Sequence, residues 1–207
     1  MLKISLCLLG LILIISCNSK SNEPVTKKPE KSDTLLPVTP GVNPYAPVDL
    51  SPMDMSYFPE DYPKLKMTNS ITTPPVARVI YSRPHKQGRV IFGGLQKYGV
   101  PWRLGANEAT EIDFFIPVTI AGKKVNPGRY ILYCIPFENK WTIVLNQNID
   151  TWGLKIDSTK DLMRFDIPIE TLPEPVEYFT MVFKKAGRGA ELIMAWDTIE
   201  ARLPINF

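Results

Sequence analysis

Between Tyr81 and Phe115 the sequence gathers Arg83, Arg89 and Arg103 with an Asn107-Glu108 pair, and the same run contains Trp102 and Thr110. An arginine presents a planar fork that grips carboxylates or phosphates through two parallel hydrogen bonds. Glycine beside it lets a ligand come close to the backbone. These residue types support a site for a small acidic molecule or a sugar, with Trp102 or the more distant Trp152 as a stacking face. They equally support a purely internal role, in which one arginine pairs with Glu108 and pins a long irregular loop. The sequence leaves both readings open.

Catalysis has less to rest on. No Gly-x-Ser-x-Gly elbow, phosphate-binding loop or dinucleotide fingerprint occurs in the chain. Glycoside hydrolysis needs two carboxyl groups about 5 to 10 Å apart, and Glu108 with Glu111 or Asp113 is the close set. Strand alternation sends Glu111 and Asp113 to the face opposite Ile112, towards water. We therefore assign no catalytic residue from the sequence. A carbohydrate hydrolase with Glu108 as its acid is the alternative to a non-enzymatic binding or interaction module. His85 is the sole histidine, which argues against a multi-histidine metal site, and Cys134 is the one cysteine beyond residue 17. No internal disulfide, cysteine-rich zinc site or cofactor is expected. Cys134 reads as a small buried apolar side chain.

The elements that would hold these residues read as β-strands. Val79 and Tyr81, Ile112 and Phe114, Trp141, Ile143 and Leu145, then Met163, Phe165 and Ile167, fall two positions apart on one face of each run. The triplets Phe179, Met181, Phe183 and Leu192, Met194, Trp196 do the same. A period of two is the signature of half-buried strands. Turn signals separate them at Ala121-Gly122-Lys123, Asn126-Pro127-Gly128, Glu138-Asn139 and Ala186-Gly187-Arg188-Gly189. The run from Arg129 to Ile135 is apolar on both faces and should be central. The pattern predicts an all-β fold, an antiparallel β-sandwich of jelly-roll type with about eight or nine strands. Asn146 to Lys160 is a long connection whose largest apolar group, Trp152, either plugs an end of the sandwich or walls a ligand site.

Upstream of this body, residues 1–16 carry Lys3 and then an apolar run from Leu6 to Ile15. The run is too short to span a bilayer about 30 Å thick and reads as a secretory signal peptide. Ile14-Ile15-Ser16-Cys17 resembles the lipobox of bacterial lipoproteins, which makes Cys17 the first mature residue, acylated on its sulfur and amine by palmitate-like chains. Each buried methylene contributes about 0.8 kcal/mol and two or more chains hold a protein on a membrane, so the body would be anchored rather than embedded. Residues 17–47 are rich in Pro, Ser, Lys and Glu without helical or strand period, the composition of a disordered tether. Residues 48–69 add Met53, Met55, Tyr57, Phe58, Tyr62 and Leu65 among prolines and read as an extended strap. Residues 70–207 are the β domain.

Bulk composition agrees with one globular domain: 207 residues, 44% hydrophobic and 22% charged. Without the leader the balance is 23 basic against 21 acidic residues, too even for a nucleic-acid partner.

Tyr81-Ser82-Arg83-Pro84, Gly88-Arg89-Val90-Ile91-Phe92-Gly93, Tyr98-Gly99 and Trp102 through Thr110 together resemble an uncharacterised bacterial family, the DUF2911 domain. Pro127-Gly128-Arg129-Tyr130, Trp141-Thr142, Asp150-Thr151-Trp152-Gly153 and Glu174-Pro175-Val176-Glu177 extend the resemblance across about residues 70–205. It implies a lipoprotein of the cell envelope of Bacteroidetes-type bacteria, on the periplasmic side or the outer-membrane surface. It implies no catalytic role.

Overall fold

The computed structural model of the chain describes residues 49–207. The expected signal peptide, Cys17 and the expected tether lie outside the described residues. Among the described residues nine strands form one antiparallel sheet: β1 (Met53–Phe58), β2 (Ala77–Ser82), β3 (Glu111–Phe114), β4 (Val118–Ile120), β5 (Lys123–Val125), β6 (Gly128–Pro136), β7 (Lys140–Asn146), β8 (Asp161–Ala186) and β9 (Gly189–Asn206). Their order is β1-β2-β3-β6-β7-β8-β9-β4-β5, so the β4-β5 hairpin leaves the meander and pairs at its far edge beside β9. The fold is all-β, as the alternation predicts.

The long strand β8 joins two parts of the sheet. Its first residues pair with β7 as far as Pro168 opposite Lys140, and from Ile169 onward it pairs with β9. Pairing slips between Thr171 and Val176, where Pro173 and Pro175 have no N–H to offer a ladder. A bent strand that changes partner in this way lets a sheet fold over its own core. One apolar cluster draws on β2, β3, β6 and β7 from one part and on β8, β9, β4 and β5 from the other. Each fully buried large apolar side chain there contributes about 1.5–3 kcal/mol. Every alternating residue named above from Val79 to Trp196 is buried except Met163, which packs against the cluster partly exposed.

Two segments differ from the sequence reading. The strap contains regular structure, since Met53–Phe58 pairs along β2 and Tyr62–Met67 forms a short helix, α1. The prolines flank these elements, and Pro63 sits in the first helical turn, where its missing N–H has no partner to lose. The connection after β7 is also more than a loop at one end. It covers the outer face of the sheet, where Ile131, Tyr133 and Val144 are buried outside the main cluster. Asn146 donates to the Asp157 carbonyl and to the Asp161 carboxylate at 2.9 and 2.8 Å, closing the connection on itself. That cover explains why β6 is apolar on both faces.

Candidate ligand clefts around the Arg83–Thr110 loop

The loop after β2 is held by its own backbone and by small residues. Leu104 and Asn107 take left-handed conformations (φ 54° and 55°), and a side chain on Gly105 between them would stand 2.9 Å from the Ser82 carbonyl oxygen. Thr110 is fully buried and donates from Oγ1 to the Leu104 carbonyl at 2.6 Å, closing the last turn of the loop. The Trp102 indole donates to the Gly105 carbonyl at 3.1 Å. Its ring stacks on Trp196 at 5.6 Å and meets Phe179 and Trp141 edge-on at 4.9 and 5.9 Å. Trp102 is therefore a core residue whose faces are already covered, and it is not available as a stacking platform.

The three arginines are held differently. Arg83 donates from Nη1 to Asp54 Oδ2 at 3.2 Å, from Nη2 to Thr180 Oγ1 at 3.1 Å and from Nε to the Phe179 carbonyl at 3.3 Å. It clamps β1 and β8 to the end of β2. Arg89 is exposed and donates only to backbone carbonyls, those of His85 and Lys86. Arg103 is half-buried, with its Nε wholly enclosed and lacking any hydrogen-bond partner. Burial pushes its guanidinium pKa down from the usual value.

The expected arginine–Glu108 pair is not formed. Glu108 is exposed and joins no ion pair among the described residues. Pinning is instead done by Arg83 with Asp54 and by Asn107, which donates from Nδ2 to Asp49 Oδ2 at 2.6 Å and to the Ser51 carbonyl at 3.3 Å. These acceptors lie more than fifty positions upstream, in the strap.

Three clefts result. Arg89 and Arg103 share one of about 370 Å³, with Trp102 and Trp196 beneath and Leu95 and Leu154 at its sides. Among the described residues no carboxylate lines it. Glu108 and Trp152 share a second, of about 440 Å³, with Glu111, Asp150 and Arg129. Arg83 lines a third with Asp49, His85 and Tyr178. In this last cleft the His85 ring lies flat on Tyr178 at 4.3 Å, and its Nε2 is 2.8 Å from Glu177 Oε1. Nothing local in the sequence signals that grouping, because the partners are some ninety positions apart. The Glu111–Arg129–Asp150 group was equally hidden, although the pairing of β3 with β6 creates it directly.

Glu111 and Asp113 do lie opposite Ile112, but each is held by an arginine: Asp113 by Arg78 at 2.7 Å and Glu111 by Arg129 at 3.7 Å. Trp152 plugs nothing, since its indole is 52% exposed. Cys134 is fully buried and free, and burial pushes its thiol pKa well up. Among the described residues no three His, Cys, Asp or Glu side chains come together as a metal site, and no helix is long and apolar enough to cross a membrane.

A family model described as a protein of unknown function (DUF2911) matches residues 63–205, which takes in most of these cleft-lining residues. No curated protein and no solved structure matches the chain.

Proposed function

The chain belongs to the DUF2911 family, and from that premise, which brings a family but no activity, we propose that it is a non-enzymatic binding protein for a small anion. The ligand, a carboxylate or phosphate compound, enters the cleft between Arg89 and Arg103. One observation carries this reading: two guanidinium groups face a cleft with no lining carboxylate among the described residues. A half-buried arginine with an enclosed, unpartnered Nε is costly to keep unless something with negative charge answers it. The exposed Leu95 and Leu154 beside it give an organic acid an apolar surface to cover.

The body is held at the bacterial envelope by lipid on Cys17, and the 17–47 segment serves as its tether. The lipobox-like Ile14-Ile15-Ser16-Cys17 supports this part of the proposal. Hydrolysis with Glu108 as the acid has less support, because Glu108 is exposed and a carboxyl becomes a general acid near neutral pH in apolar surroundings.

Titration calorimetry of the full chain with inorganic phosphate, citrate and glucuronate tests the anion site. At least one should bind, more weakly as salt is raised, and Arg103→Leu should remove the binding while the thermal midpoint is kept. Binding of none of the three, or binding that survives Arg103→Leu, overturns the reading. Mass spectrometry of the mature N-terminus tests the anchor, and an unmodified peptide starting elsewhere than Cys17 overturns it.

A further inference from the structure

On the other side of the Thr151–Leu154 segment from the arginine cleft, Trp152 stands over the second cleft with its indole half exposed. Its neighbours are fixed. Asp150 is left-handed (φ 58°) and accepts from Arg129 Nη2 at 2.5 Å. The Thr151 carbonyl accepts from Ala109 N at 3.2 Å, and Gly153 is left-handed and packed against Ala109. A backbone held in this way does not have to be ordered when a ligand arrives, which lowers the cost of binding to the indole it presents.

The polar groups around it are mixed in sign. Arg129 sits between Asp150 and Glu111, at 2.5 and 3.7 Å. Glu108 has no ion pair among the described residues. The Thr151 hydroxyl lies on the same wall, and Met53 and Ile80 add apolar surface. A simple cation would meet the Arg129 guanidinium in this cleft, and a simple anion would meet three carboxylates. An uncharged polyol suits both, because each hydroxyl donates to a carboxylate and accepts from a guanidinium. The C–H face of a sugar ring supplies the apolar surface that an exposed indole covers best. At about 440 Å³ the cleft has the size of a small-molecule site.

We infer that the cleft around Trp152 binds a neutral sugar unit of a glycan, with the indole as stacking platform and Glu108, Glu111, Asp150 and Arg129 as hydroxyl partners. The site is separate from the arginine cleft and does not rest on the anion reading.

The test titrates the full chain with cellotetraose, N,N′-diacetylchitobiose and mannotetraose, following tryptophan emission. The other three tryptophans are buried, so the solvent-exposed signal belongs to Trp152. At least one saccharide should shift that emission and protect Trp152 from N-bromosuccinimide. The effect should stay unchanged between about 0.05 and 0.5 M salt, since no net charge is exchanged. Trp152→Ala should weaken binding at least tenfold, Glu108→Gln by a smaller factor, and Arg103→Leu should leave it intact. If Trp152→Ala fails to fold, the protection experiment on the unaltered chain decides. No response to any of the three saccharides overturns the inference, as does binding that survives Trp152→Ala. Salt-sensitive binding of tetramethylammonium in place of sugar would reassign the cleft to a cation.

Discussion

The Arg83 guanidinium reaches back 29 positions to the Asp54 carboxylate at 3.2 Å, and so joins the loop after β2 to a strand in the segment that precedes it. Asp54 lies on β1, which borders the sheet. Both side chains are partly exposed, at 34% and 43%, so the ion pair itself is screened. Asp54→Ala should cost about 1 kcal/mol, read by urea denaturation. Its clearer effect should be faster protease cleavage within Met53–Phe58, and an unchanged cleavage rate would show that Arg83 holds nothing there.

Gly122 and Gly153 share the same left-handed φ of 76°, yet differ in what a side chain would meet. At Gly122 there is open space, whereas at Gly153 a Cβ would stand 2.8 Å from the Ala109 Cβ and 3.2 Å from its Cα. Gly122→Ala should therefore cost only the conformational strain, about 1–2 kcal/mol. Gly153→Ala should cost more, by about 1–3 kcal/mol for overpacking, and should displace the Trp152 loop. Equal losses at the two positions would contradict the close approach of Gly153 to Ala109.

Two tryptophans that the sequence treats alike should behave differently. Trp102→Ala removes a ring packed against Trp141, Phe179 and Trp196 and should cost about 3–5 kcal/mol, enough to unfold many domains. Trp152→Ala should change stability by less than about 1 kcal/mol. Thermal denaturation of the two variants side by side checks the pair.

Arg103→Leu should leave stability unchanged or raise it by about 1 kcal/mol. The substitution removes a desolvated charge and breaks no side-chain ion pair among the described residues. A loss of several kcal/mol would show that Arg103 has a structural partner after all.

Burial pushes the Tyr81 phenol up to about 12, and Tyr133 is raised by burial and by its hydroxyl donating to Asp161. A phenol with a folded pKa above its unfolded value near 10 contributes stability that is complete below pH 10. That stability is lost as pH rises through the folded pKa. Unfolding free energy should fall between about pH 10 and 12, and Tyr81→Phe should make that fall shallower. An alkaline profile identical in the variant would remove Tyr81 as a source.

Much of the fold was legible because strand alternation is a local property. Ile112 and Phe114, or Leu192, Met194 and Trp196, announce a buried face from neighbours two positions away. The strap was legible as an extended segment but its pairing was not, because β1 exists only where β2 lies beside it. The candidate site was legible as composition only. Arg83, Arg89 and Arg103 stand out by residue type, but that Arg83 clamps two strands while Arg89 and Arg103 share a cleft depends on partners far along the chain, such as Asp54 and Thr180.

The sequence by itself determined the period-two strands, the turns between them and the apolar setting of Cys134, since each is written in residues that neighbour one another. Tertiary structure alone decided which charges are answered. Asp54 rather than Glu108 meets Arg83, Arg129 stands between Glu111 and Asp150, and Arg103 is left without a side-chain acceptor among the described residues. The physical reason is that ion pairing acts over a few ångströms of space, and only the paired strands and packed loops bring residues so distant in sequence to that range.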